Sequence, residues 1–173
     1  VSVAGALTLE ADHMNFSGGA SSIDGKGALN ISSKTDNLPI ELTDSTFTPE
    51  ENRLQLDMSV FGPDFTTIVI GDSNAVGGPV SLQVNQVDLN FFSVPVEIYG
   101  SSFTLEAVDA VAKVFKTSDT VLIDVSDGIV LNNTWLAAGT ETTLDAGAGS
   151  ILQGEGITFT GNDLILVTAA GIE

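Results

Sequence analysis

The chain has 173 residues, with 23 Asp and Glu against 5 Lys and Arg, and a formal charge of −18. An acid surplus of this size repels phosphate backbones and anionic headgroups, which argues against nucleic acid or an anionic membrane as partner. The 43% apolar content is too high for a disordered tail, and zero Cys excludes a disulfide framework, a thiolate metal site and a cysteine nucleophile.

Val1-Ser2-Val3-Ala4-Gly5 lacks the basic region and apolar stretch of a signal peptide. No apolar run approaches the roughly 18–20 residues that span a bilayer, so no direct membrane insertion is expected. The expectation is a single β-helical domain over 1–173 that forms an interior fragment of a longer secreted protein.

Short β-type runs separated by Gly, Asn, Asp and Ser dominate the chain. In order they are Ala6–Glu10, Ala28–Ser32, Leu54–Met58, Thr67–Ile70 and Val80–Val84, followed by Val96–Tyr99, Ser102–Leu105, Val121–Val125, Ile157–Phe159 and Leu164–Val167. Most alternate apolar with polar residues, giving one dry and one wet face. The polar segment 34–53, with Pro39 and Pro49, reads as a loop excursion because proline cannot donate to a central ladder. Leu105 to Phe115 fits a helix through Leu105, Val108, Val111, Ala112 and Phe115, or a strand through Val108, Ala110, Ala112 and Val114. Its all-β surroundings favour the strand.

Internal repetition separates a solenoid from the alternative, a β-sandwich. Ile123-Asp124-Val125-Ser126-Asp127-Gly128 aligns with Leu144 to Gly149 and with Leu166 to Gly171, steps of 21 and 22 residues. Leu7 and Leu29 are again 22 apart, and Leu54 and Leu82 are 28 apart. A step of roughly 20 residues is one rung of a parallel β-helix, whose strands lie about 4.8 Å from those of the next rung and whose inward side chains stack on like neighbours.

Several stretches resemble the repeat region of filamentous hemagglutinin-like large exoproteins, bacterial adhesins exported by two-partner secretion. They are Leu7-Thr8-Leu9-Glu10-Ala11-Asp12, Gly27-Ala28-Leu29-Asn30-Ile31, Leu54-Gln55-Leu56, Gly78-Pro79-Val80-Ser81-Leu82 and Phe92 to Ile98. The most specific is Phe65 to Gly71, where Asp64-Phe65 replaces the family's Gly-Phe. The resemblance implies a right-handed parallel β-helix, extracellular or on the bacterial cell surface, serving as the shaft or binding surface of a non-enzymatic structural and adhesive protein. Its expected partners are a host or neighbouring cell surface, with glycans among the ligands. Free strand edges at the two ends would allow homotypic stacking, and the rival reading is a subunit of a self-assembling extracellular filament or surface layer.

A third reading, a glycan-active β-helix enzyme, needs acids and bases converging on a groove. Carboxylate pairs are available in Asp124 with Asp127, Asp145 with Asp163, and Asp57 with Asp72, but 23 carboxylates generate such pairs unaided. The cations are Lys26, Lys34, Arg53, Lys113 and Lys116, with none beyond. His13 stands alone between Asp12 and Met14 and reads as a surface residue. Catalytic, cofactor-binding and metal-binding residues are therefore all expected to be none. Calcium is the remaining cofactor option, through Asp119, Asp124 and Asp127 or Asn162 and Asp163. Phe91, Phe92, Trp135 and Tyr99 are the candidates for an aromatic glycan platform.

Overall fold

In the computed structural model, residues 1–43, 52–73, 78–84, 89–107, 113–132, 134–154 and 156–173 are described. The chain opens with β1 (Ser2–Val3), β2 (Leu7–Glu10), β3 (Asp24–Gly25), β4 (Ala28–Ser32) and β5 (Ile40–Thr43). Next come β6 (Leu54–Asp57), a 3-10 turn at Met58–Val60, β7 (Thr67–Ile70), β8 (Val80–Val84), β9 (Leu89–Phe92) and β10 (Val96–Gly100). β11 (Phe103–Ala107), β12 (Lys113–Thr117), β13 (Val121–Val125), β14 (Gly128–Asn132) and β15 (Thr134–Ala137) follow. β16 (Glu141–Asp145), β17 (Ser150–Gln153), β18 (Thr158–Thr160), β19 (Asp163–Val167) and β20 (Gly171–Ile172) complete the described strands.

These strands form a parallel β-solenoid. The first sheet runs β2-β4-β7-β10-β13-β16-β19, the second β6-β5-β8-β11-β14-β17-β20 and the third β9-β12-β15-β18, with β1 and β3 forming a small pair. Every pairing among the described strands is parallel, which excludes the sandwich.

Alternation explains why these runs stack. In the first sheet Val96 pairs with Val121 and Val121 with Thr142, while Ile98, Ile123 and Leu144 form the next inward column. Phe103, Ile129 and Ile151 make the matching column of the second sheet. All of these are buried. Burying each large apolar side chain contributes about 1.5–3 kcal/mol, and a rung misplaced by one residue would turn its whole inward set to solvent.

The repeat aligned at 123, 144 and 166 is seen in the pairing Ile123↔Leu144↔Leu166. Beyond the corner the register differs from that alignment. Gly128 pairs with Ser150 and Ile129 with Ile151, so the corner after β16 holds one more residue than the corner after β13. Gly147 sits in that longer corner at φ +52°, where an added Cβ would fall 2.8 Å from the carbonyl oxygens of Val125 and Ser126. The Leu54–Leu82 equivalence is likewise corrected: Leu82 pairs with Leu42, and Leu42 with Leu56.

Segment 34–53 is not a loop throughout. Ile40–Thr43 is a central strand of the second sheet, between β6 and β8; residues 44–51 lie outside the described residues. Pro39 stands immediately before β5, where its carbonyl accepts from Leu54 N–H at 2.8 Å and its missing donor is not needed. Pro79 before β8 and Pro95 before β10 are placed alike, accepting from Ile40 and Ile68. The ambiguous stretch Leu105 to Phe115 is strand where it is described, in β11 and β12, and residues 108–112 lie outside the described set.

One strand is out of chain order. β4 leads into β5 and β7 into β8, yet β6 pairs with the far side of β5 and so lies beside β2. Chain 58–62 then climbs back along residues 21–23, with Ser21 N–H donating to Ser59 O, Ile23 N–H to Val60 O and Gly62 N–H to Ile23 O. Phe16 packs edge-on against Phe61 at 5.5 Å between centroids, and Phe61 against Phe65 at 6.4 Å. Glu41 and Gln55, opposite each other on β5 and β6, are both buried; Glu41 accepts from Gln55 Nε2 at 3.0 Å and from Arg53 at 3.2 Å.

Truncating Leu144 to Ala should cost about 2–5 kcal/mol in chemical denaturation, whereas Thr104→Ala, on the outward side of β11, should stay within about 0.5 kcal/mol. Gly71, at φ +86° with a would-be Cβ 1.9 Å from Tyr99 O, should lose at least about 2 kcal/mol on substitution by Ala.

Candidate functional site

The outward side chains of the first sheet are held in the same register as the core. Asp124 on β13 therefore pairs with Tyr99 on one side and Asp145 on the other. At the corner beyond these strands, Asp72, Ser73, Tyr99, Asp124, Ser126 and Asp145 line a shallow groove of about 330 Å³. A neighbouring groove of about 160 Å³ shares Asp72 and Tyr99 and adds Glu10, Lys34, Asp36 and Asn37. The two run together along the corner between the first and second sheets.

Tyr99 is half-buried, and its hydroxyl donates to Glu97 Oε2 at 2.9 Å. Burial, the bond to Glu97 and the charges of Glu97 and Asp124 together push its pKa up to about 12. The phenol thus stays protonated across the physiological range and serves as donor and apolar face, not as a base. Because the folded pKa lies above the unfolded value near 10, this group's stabilisation is complete below pH about 10 and is lost as pH rises through about 12.

The sequence-paired acids are not the pairs the fold makes. Asp124 stands next to Asp145, while Asp127 lies at the bend before β14. Asp163 begins β19 opposite Glu141, away from Asp145 at the other end of β16. Asp57 caps the 3-10 turn, accepting from Ser59 N–H at 2.9 Å, and Asp72 lies in the corner after β7. Asp119 accepts from the N–H of its neighbour Thr120 at 2.9 Å. Among the described residues no group of three or more His, Asp and Glu side chains is placed to hold a metal ion.

His13 is exposed. Its neighbour Asp12 accepts from Thr35 Oγ1 and Thr35 N–H, both at 2.7 Å, and these bonds hold its carboxyl below the usual range. Lys26 pairs with Asp64 on the surface, and Arg53 pairs with Glu41, so two of the cations hold the N-terminal turns together. Lys113 and Lys116 lie on β12 in the third sheet. The aromatic platform is also divided: Phe91 and Phe92 belong to β9 and Trp135 to β15 of the third sheet, whereas Tyr99 is on the first.

Residue-by-residue reading misses the grouping of Asp72, Tyr99, Asp124 and Asp145. The 21-residue step gives the Asp124–Asp145 neighbours, but Tyr99 enters at a step of 25 that no repeat signals. The architecture defines the protein as a parallel β-solenoid. No family model, curated protein or solved structure matches the chain.

The single tyrosine allows a direct check: its absorbance near 295 nm should titrate with a midpoint of about 12 in the folded protein, and Glu97→Gln should move that midpoint toward the ordinary value. Calcium and EDTA should leave the melting temperature unchanged, as followed by differential scanning calorimetry.

Proposed function

We propose that the chain is a non-enzymatic structural and adhesive segment of a secreted bacterial surface protein, of the filamentous hemagglutinin-like kind its rungs resemble. The observation that supports this reading is the unbroken register of the outward side chains over seven strands of the first sheet. Such a face sets its outward side chains in rows at about the 4.8 Å strand spacing, which favours many weak contacts to an extended partner over one reactive pocket. A partner of this face is a cell surface bearing glycans. The acid-lined corner favours neutral or amino-bearing sugars, because uronates and sulfates would meet like charge around Asp72, Asp124 and Asp145.

Glycan-array and whole-cell binding by the purified chain test the proposal. Binding that falls on Tyr99→Ala and persists on Trp135→Ala is the expected result. Release of reducing or unsaturated sugar ends from a polysaccharide panel, lost on substitution of Asp124 or Asp145, would establish a catalyst and overturn the non-enzymatic reading.

A further inference from the structure

The outer face of the first sheet carries its aliphatic groups and its charges in separate rows. Parallel pairing aligns Val69, Glu97, Leu122, Thr143 and Ile165 in a central outward row from β7 to β19. Its aliphatic members therefore recur every second rung, about 9.6 Å apart at the ordinary strand spacing. Two residues further along their strands, about 7 Å to one side, Tyr99, Asp124 and Asp145 form a second row. On the other side Glu141 and Asp163 begin their strands as paired neighbours.

None of the seven strands of this sheet contains Lys or Arg. Its acids are held by neutral donors. Glu97 accepts from the Tyr99 hydroxyl, Glu141 from Thr143 Oγ1 at 3.2 Å and Asp145 from Gly147 N–H at 2.9 Å. The ion pairs among the described residues, Lys26–Asp64 and Arg53–Glu41, use other acids. The face is thus an aliphatic row bordered on both sides by carboxylates that no cation of the chain neutralises.

That layout complements one kind of partner. The margins call for cations, and Leu122 and Ile165 call for apolar groups, because they would desolvate sugar hydroxyls without returning a hydrogen bond. An α-helix advances about 10.5 Å in seven residues, close to the two-rung spacing of Val69, Leu122 and Ile165. Apolar residues at every seventh position can therefore follow the row. Lys or Arg beside that stripe reach sideways to the acids and lay their stems on the aliphatic surface.

We propose that the outer face of the first sheet docks a basic amphipathic helix of a partner protein, laid along the solenoid axis from β7 to β19. The span is four strand spacings, about 19 Å, which takes about 15 residues of helix. Attraction is strongest at low salt and fades as ions screen the carboxylates. This inference goes beyond the glycan reading and stands on the Leu122 row, not on the Tyr99 corner, so either can fail alone.

The test is fluorescence anisotropy of a labelled Leu–Lys peptide, about 18 residues long with Leu confined to one helical stripe, titrated with the 173-residue chain. Saturable one-to-one binding is expected, weakened at least about tenfold by Leu122→Ser, by the pair Asp124→Asn with Asp145→Asn, and by scrambling the peptide at fixed composition. The pair Asp36→Asn with Glu173→Gln removes the same charge from exposed positions off the face and should cost less than about threefold. In the unsubstituted protein, amide shift changes on adding the peptide should concentrate on β7, β10, β13, β16 and β19, which frees the test from any folding defect of a variant. No binding at low salt would overturn the proposal. So would equal binding of the scrambled peptide, or equal losses in the two double variants, since either would reduce the effect to bulk charge. A glucosamine oligomer that binds this face where the peptide does not would overturn the helix as occupant while retaining the adhesive reading.

Discussion

The fold depends on one constraint: each rung must lie in parallel register on the rung below, so that backbone pairing and the inward apolar columns are satisfied by the same placement. Neither acts alone. A parallel ladder without the columns would leave both sheet faces wet, and the columns without the ladder would bury unpaired N–H and C=O groups. Ile98, Ile123 and Leu144 are each fully buried because the strands carrying them are paired residue for residue. Length variation is taken up in corners, as in the extra residue that Gly147 accommodates, and in one shift of register between β9 and β12, while Pro39, Pro79 and Pro95 stand just ahead of strands.

The same constraint makes the ends the places where the fold has to be resolved. At the N-terminal end the chain departs from sequential order, laying β6 beyond β5 and returning through the 3-10 turn to β7. That detour replaces a missing second-sheet strand of the first turn and buries Leu54, Leu56 and Met58. On the opposite face the buried Glu41–Gln55 pair, with half-buried Arg53 bonded to Glu41, joins the displaced strand to its neighbour. In the last described rung the inward positions Leu164 and Ile172 are exposed, whereas Leu166 is half-buried.

Much of the architecture was legible in the sequence, where strands are separated by near-constant corners. The copies at 123, 144 and 166, and the pair Leu7 and Leu29, read correctly because backbone pairing enforces one-to-one alignment of their inward residues. β5 escaped notice because Ile40–Thr43 is short and follows a proline, and the local signal of Pro39 outweighed the alternation of Ile40 and Leu42. The reversal of β5 and β6 left no local trace, since strand order is set by long-range pairing and not by the composition of either strand. The corner groove was half legible: Asp124 and Asp145 follow from the repeat, whereas Asp72 and Tyr99 arrive through corners of irregular length. The acid pairs chosen by sequence proximity failed because neighbours on a solenoid face are a rung apart, not a few residues apart.

Function on such a scaffold resides in what the rungs display. The outer face around Tyr99 holds a protonated phenol among carboxylates, a surface suited to hydroxyl-rich partners and repelling to anionic ones. That display exists only if the register is right, so register is the claim to test most directly. The chain has no Cys, and Leu122 and Thr143 are paired on the outward side of β13 and β16. The double substitution Leu122→Cys with Thr143→Cys should oxidise readily to an intramolecular disulfide, while Leu122→Cys with Thr142→Cys, one residue out of register and facing inward, should not. Efficient closure of the second pair, or of neither, would contradict the stacked in-register solenoid.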